Sequence, residues 1–246
     1  MRRARFRFYA ELNDFLPPQL RYRDFEHCFA LPGSVKDMIE SVGVPHPEVE
    51  LLLINGASVS FSASVSEGDM VSAYPHFRLL DVSGVSLVAP EPLPAARFVL
   101  DIHLGRLATY LRMAGFDTLY RNDYEDEELA ELSAREPRIL LTADRGLLKR
   151  GIVTHGYYVR SRQPREQLLE VFRRYDLLSS VSAFTRCLEC NAPLVTTSKN
   201  AVLNRLEPRT RELYTEFSIC TVCNRVYWKG SHYEHMRKVL EAVASG

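Results

Sequence analysis

Four of the five cysteines stand in two Cys-x-x-Cys pairs, Cys187/Cys190 and Cys220/Cys223. Two such knuckles offer four thiolates, the soft tetrahedral set that zinc takes where its coordination is closed and its role structural. Residues 191 to 219 separate the pairs, longer than a finger's spacing and suited to a ribbon carrying an insertion. With four cysteines available, His232 and His235 are not needed as ligands. His232, in Gly-Ser-His, reads as a phosphate or loop contact. The isolated Cys28 reads as a small buried hydrophobe.

A second chemistry is offered by carboxylates at strand ends. Asp101 closes the apolar run Phe98-Val99-Leu100, Asp144 follows Ile139-Leu140-Leu141-Thr142, and Asp126 opens the intervening helix. In open parallel sheets, sites form at the carboxyl ends of the strands. Carboxylates gathered there repel one another unless a cation neutralises them. Mg²⁺ or Mn²⁺, which prefer oxygen donors, can activate water and stabilise a phosphodiester transition state. Each residue also has a plainer role. Asp126 suits a helix cap, Asp144 a turn (Asp-Arg-Gly), and Asp123 an ordinary loop. Asp101 is the hardest to dismiss, because a carboxylate closing an apolar strand needs a partner. Tyr227 and Trp228 lie among Arg225, Lys229 and Arg237. Such aromatics either stack unpaired bases while the cations hold phosphates, or pack a small ribbon's core.

The elements that must position these residues fall into three blocks. Before a Pro-rich linker at 89–96, Arg3–Glu11 alternates as a strand, and Ser34–Val42 reads as a helix with Ser34 as N-cap and Gly43 as stop. Val49–Ile54 reads as a strand closed by the hairpin signal Asn55-Gly56, and Met70–Tyr74 as another. The order suggests a small β-grasp domain over 1–88. From 97 to 180, strands and helices alternate. Leu104, Leu107, Ala108, Leu111 and Ala114 share one helical face, ended by Gly115, and Pro164 begins a helix reaching about Tyr175. A βαβ succession implies a parallel sheet flanked by helices. The block 181–246 holds the cysteines and a closing helix, Tyr233–Val243, with Met236, Val239, Leu240 and Val243 as its apolar stripe.

Two resemblances attach to these pieces. Leu31-Pro32-Gly33-Ser34-Val35, Ile54-Asn55-Gly56 and Glu67-Gly68-Asp69-Met70-Val71 resemble ubiquitin-like sulfur carriers. The Gly-Gly terminus that carrier chemistry needs is replaced by Tyr74-Pro75-His76 and a continuing chain, which leaves interaction or scaffolding as the domain's role. Residues 97–244 resemble the PIN-like ribonuclease domain named for the C-terminal region of the Mut-seven exonucleases. The matching stretches are Phe98 to Ala108, Leu111 to Asp117, Leu140 to Arg145, and Cys220 through Cys223 on to Tyr227-Trp228-Lys229-Gly230-Ser231-His232. This resemblance implies a PIN-like α/β fold, an acidic site of Asp101, Asp126 and Asp144 for Mg²⁺ or Mn²⁺, and RNA as the expected substrate; tRNA is a candidate partner, above all for a protein that binds RNA without cutting it. Arg106, Arg112 and Arg145 lie beside those motifs as phosphate contacts or as salt-bridge partners. Trp228, Lys229 and His232 join them as expected RNA contacts.

Composition bounds the rest. The 246 residues are 46% apolar and 25% charged, enough for real cores and unlike a disordered chain. No apolar run is long enough for a membrane span, and no apolar leader follows the basic start. Paired metal-type cysteines point to a reducing cytoplasm. Net charge is zero but uneven: residues 160–246 hold 14 Lys/Arg against 9 Asp/Glu, or +5, whereas residues 1–96 hold 8 against 12, or −4. Three readings follow. The first is a metal-dependent ribonuclease with a zinc ribbon. The second is a non-catalytic RNA-binding protein. The third is an adaptor binding a protein partner through the ubiquitin-like domain; deletion of 1–90 would cost an adaptor its partner and leave a nuclease its activity.

Overall fold

The computed structural model describes residues 1–245, with the side chains of His232, His235 and residues 243–245 outside the description. Along the chain run β1 (Arg2–Phe8), β2 (Phe25–Phe29), α1 (Val35–Ser41), β3 (Leu51–Ile54), β4 (Ala57–Ser58) and β5 (Met70–Tyr74). Then come β6 (Arg97–Leu100), α2 (Gly105–Met113), β7 (Asp117–Leu119), α3 (Asp126–Arg135), β8 (Ile139–Thr142), α4 (Arg145–Leu148), β9 (Gly156–Tyr158) and α5 (Pro164–Tyr175). The last stretch holds β10 (Leu194–Thr197), α6 (Lys199–Val202), α7 (Pro208–Leu213), β11 (Phe217–Cys220), β12 (Val226–Trp228) and α8 (Ser231–Ser245). The chain divides into two units. One joins Met1–Leu93 to Asp126–Tyr158; the other joins Pro94–Glu125 to Val159–Gly246.

In the first unit a five-stranded sheet has the order β2-β1-β5-β3-β4. Alternation along β1 buries Ala4, Phe6 and Phe8 and turns Arg3 and Arg5 outward. β1 runs antiparallel to β2 and parallel to β5, with Phe6 opposite both Phe25 and Val71. α1 packs Val35, Met38 and Ile39 into the same core. Its start is fixed by Ser34, whose hydroxyl oxygen accepts the Asp37 amide at 3.1 Å. Gly43 follows the helix at φ +113°, and a Cβ there would stand 2.8 Å from the Phe15 carbonyl oxygen, so only glycine fits. Asn55 and Gly56 both take positive φ, as the expected hairpin turn requires. Three local expectations are corrected. β1 ends at Phe8, and Ala10–Phe15 turns into a 3₁₀ helix. β2 forms a strand that the sequence reading passed over. Cys28, on the outward side of that strand opposite Arg3, is exposed, because the odd positions of β2 take the core-facing phase.

The same unit contains the α3-β8-α4-β9 segment, in which β8 and β9 pair in parallel and β8 is buried throughout. In the second unit β6 and β7 pair in parallel, Phe98 opposite Thr118, and α2 covers them with Leu107, Ala108 and Leu111. In each unit the helices beside the parallel pair cover its apolar strands. α2 stops before Gly115, which takes φ +97°; an added Cβ would come within 2.2 Å of the Ser182 carbonyl oxygen. α5 starts with Pro164 in its first turn, as expected. The ribbon sheet has the order β10-β11-β12, with Leu194 opposite Cys220 and Phe217 opposite Trp228. α8 buries Met236 and Val239; Val243 of the expected stripe lies outside the described residues.

Candidate metal centre and strand-end carboxylates

The four cysteines converge. Their sulfurs all lie within 4.8 Å of one another, with Cys187–Cys223 at 3.5 Å and Cys190–Cys220 at 3.3 Å. These separations are far above the about 2.05 Å of a disulfide. They approach the about 3.8 Å edge of a tetrahedron with metal–sulfur bonds of about 2.3 Å. The two knuckles repeat one backbone design. Asn191 and Asn224, the residues after each pair, are left-handed at φ 68° and 60°. Each turns its amide back to the first cysteine's carbonyl, Asn191 to Cys187 at 3.0 Å and Asn224 to Cys220 at 3.2 Å. Asparagine tolerates that conformation better than most residues. The sequence signal for this was a repeated Cys-x-x-Cys-Asn.

Backbone amides aim at the sulfurs. Val222 and Cys223 each donate to Cys220 Sγ at 3.4 Å. Burial alone would raise the Cys220 thiol, but these amides and the neighbouring thiols outweigh it and bring it down to about 6. The Arg225 amide lowers the Cys223 thiol, yet burial and the three other cysteines push it up to about 12. Four thiols this close need a cation to carry negative charge together. Tyr227 stands behind them: its hydroxyl is 3.1 Å from Cys187 Sγ and accepts the Leu188 amide at 3.1 Å. Burial first, and then that sulfur, raise the Tyr227 hydroxyl's pKa. Tyr227 therefore belongs to the shell that orients the ligands.

The ribbon is fastened to the β7 edge. Asn191, 7% exposed, accepts the Thr118 amide at 2.9 Å and donates to Asp117 Oδ1 at 2.8 Å. Arg112 is 4% exposed, with its guanidinium donating to Thr118 O at 3.0 Å, Leu188 O at 3.0 Å and Glu189 O at 2.7 Å. Burial lowers its pKa. The charge expected at a phosphate is here spent on protein carbonyls, because a buried guanidinium must satisfy its donors locally.

Two of the three acidic residues follow strands, and the third opens a helix. Asp101 directly follows β6, is 4% exposed, and its Oδ1 accepts the His103 amide at 2.8 Å. Asp144 follows β8 by one residue and is exposed; its Oδ1 accepts the Gly146 amide at 2.6 Å, and its own amide donates to Thr142 Oγ1 at 2.8 Å. Asp126 is the first residue of α3 and is exposed. Asp126 and Asp144 share the first unit, and Asp101 belongs to the second. The exposed Asp123 carboxylate is paired with Arg121 Nε at 2.9 Å, which lowers its pKa. Arg145, next to Asp144, donates to the carbonyls of Phe15 and Asp14, both at 3.1 Å. Arg106 is exposed on α2.

Beside the ribbon sheet lies a groove of about 820 Å³ lined by Phe184, Arg186, Trp228, Lys229, Tyr233 and others. The Phe184 and Tyr233 rings meet at 4.1 Å, tilted by 36°, Trp228 is 39% exposed, and Lys229 pairs with Glu216 at 2.7 Å. The His232 side chain, expected to join them, lies outside the described residues. No helix among the described residues is long and apolar enough to cross a membrane.

Comparison with known families gives two matches. Residues 96–240 match the family described as the Mut7-C RNAse domain, and residues 1–81 match the one described as Mut7-C ubiquitin. No curated protein and no solved structure matches the chain.

Proposed function

Because the chain belongs to the Mut7-C RNAse domain family, with a Mut7-C ubiquitin domain ahead of it, we propose that it is a cytoplasmic, metal-dependent ribonuclease. Asp101, Asp126 and Asp144 are the proposed ligands of Mg²⁺ or Mn²⁺, and zinc is the proposed metal of the four cysteines. The observation that carries the reading is Asp101, a carboxylate 4% exposed at the carboxyl end of a parallel strand inside the matched region. An all-oxygen donor set of this kind suits a hard divalent cation. When bound, that cation supplies Lewis acidity and an activated water for in-line attack on the phosphodiester. The protein's own part is positioning. The His103 amide fixes one oxygen of Asp101, and the Gly146 amide fixes one of Asp144. Arg106, exposed on the helix that follows Asp101, is the arginine proposed to meet phosphate.

The ribbon groove supports a role in holding RNA. Exposed Trp228 and the tilted Phe184–Tyr233 pair offer aromatic surface to unpaired bases, and Lys229 a cation to the backbone. Ends and loops of structured RNAs such as tRNA are the candidate ligands. Incubating the full chain with total cellular RNA in Mn²⁺ or in EDTA tests the assignment. Metal-dependent fragments should appear, and Asp101→Asn and Asp144→Asn should each reduce them by about a hundred-fold or more while the folded circular dichroism spectrum is kept. Undiminished cleavage by both variants removes the assignment. RNA that is retained intact in either buffer supports the second reading, a non-catalytic RNA-binding protein, which the groove favours.

A further inference from the structure

The turn that bears Asp144 is held from behind by the N-terminal domain. Arg145 supplies the first contact: one terminal nitrogen donates to Phe15 O and the other to Asp14 O, each at 3.1 Å. Its guanidinium also lies over the rings of Phe15, at 5.1 Å, and Tyr158, at 5.5 Å, which themselves meet edge to face at 5.4 Å. Three more polar contacts continue along the same segment. Lys149 Nζ donates to Glu40 O at 2.6 Å. The His46 ring, 6% exposed, spans Glu40 Oε1 at 2.7 Å and Val153 O at 2.9 Å. Glu48, 3% exposed, accepts the Tyr158 amide at 2.6 Å. Gly156 is demanded by its own segment, since a Cβ on it would stand 2.6 Å from Leu148 Cδ2 and 3.1 Å from Val153 Cγ1, while Pro47 Cβ would lie at ordinary contact distance, 3.5 Å.

His46 and Glu48 are buried and hydrogen-bonded across this contact, to Val153 O and from the Tyr158 amide, and each would lose that partner if the domain were detached. Of these contacts, those of Arg145 reach the Asp144 turn itself. Arg145 lies between Asp144 and Gly146, the amide that fixes the Asp144 carboxylate. We infer that the ubiquitin-like domain acts in cis as a clamp on the Asp144 turn, with Arg145 as its positioning residue. The clamp holds a turn that is otherwise exposed and only four helical residues long. As regards cleavage, the inference rests on the ribonuclease reading above; as regards the turn itself, it stands alone.

The test uses the full chain with Arg145→Ala, Arg145→Lys and, should the first fail to fold, His46→Ala, which leaves Arg145 in place. Amide hydrogen exchange at 144–148 and the kinetics of metal-dependent RNA cleavage are both measured. Arg145→Ala should raise exchange at 144–148 while the ribbon amides keep their rates. It should lower kcat about ten- to a hundred-fold with KM within about two-fold. Arg145→Lys, able to reach one carbonyl, should fall between. Unchanged exchange at 144–148 overturns the clamp, as does an unaltered kcat. A parent chain that cleaves no RNA overturns the ribonuclease reading instead, and the exchange data still decide the clamp.

Discussion

Arg112 and Arg145 do the same job at two appended domains, with different security. Each leaves the α/β layer and gives its guanidinium to two consecutive carbonyls of another module: Leu188 and Glu189 of the first knuckle, Asp14 and Phe15 of the N-terminal domain. Arg112 is buried and has a further carbonyl at Thr118, beside the Asn191 bonds to the same strand. Arg145 keeps an exposed edge and relies on two aromatic rings. The ribbon's arginine is thus part of the core, whereas the N-terminal domain's arginine is one that water can reach, with the buried His46 and Glu48 contacts beside it. Stability is concentrated at the first and adjustability at the second.

Removing the ribbon's metal should break this contrast most completely. Cys220→Ser, or a strong chelator, withdraws a structural site of about 10–16 kcal/mol. Metal content should fall to zero by elemental analysis. The near-ultraviolet signal of Tyr227 and Trp228 should collapse, with the N-terminal domain's exchange protection kept. Next in size is Arg112→Ala. It removes the shared donor of the buried Thr118 carbonyl and the partly buried Leu188 and Glu189 carbonyls and should cost about 3 kcal/mol in denaturant unfolding. Arg112→Lys should recover little of that, since one ammonium cannot serve all three. Arg145→Ala should cost only about 1 kcal/mol in the same measurement. A cost equal to that of Arg112→Ala would erase the difference drawn above.

The smallest effect concerns acid. His27 packs edge-on against Phe6 at 5.4 Å, and burial lowers its pKa below 6.5. Below that value the unfolded chain takes up a proton that the folded ring resists. Stability therefore falls as pH drops from about 6.5 towards the folded pKa and then levels off. His27→Gln should flatten that slope in melts between pH 7 and pH 5.

The metal cluster was legible because its chemistry is local. A tetrahedral centre needs its donors as two short knuckles, and each pair is written within four residues. The cap at Ser34, the Asn55-Gly56 turn and the stop at Gly115 were legible for the same reason. The roles of Arg112 and Arg145 were not. Sequence shows a cation beside an acidic motif, but the carbonyls that claim them lie 76 and 131 positions away. Strand β2 was hidden by its short length and by the charged Arg21-Tyr22-Arg23-Asp24 before it, although Phe25, His27 and Phe29 carry the alternation. Cys28 followed from composition alone, and the phase of that strand reversed it.

The clamp also sets an order of events on the ribosome. The N-terminal domain leaves the exit tunnel first, yet the partners of His46 and Glu48 are encoded 107 and 110 residues later. At about 5–20 residues per second, the nascent domain waits for several seconds or longer. During that interval His46 lacks its bond to Val153 O and Glu48 its bond from the Tyr158 amide. Its last surface closes when the strand ending at Tyr158 has been translated, so a translational pause before that codon prolongs a half-finished state that the mature protein never revisits.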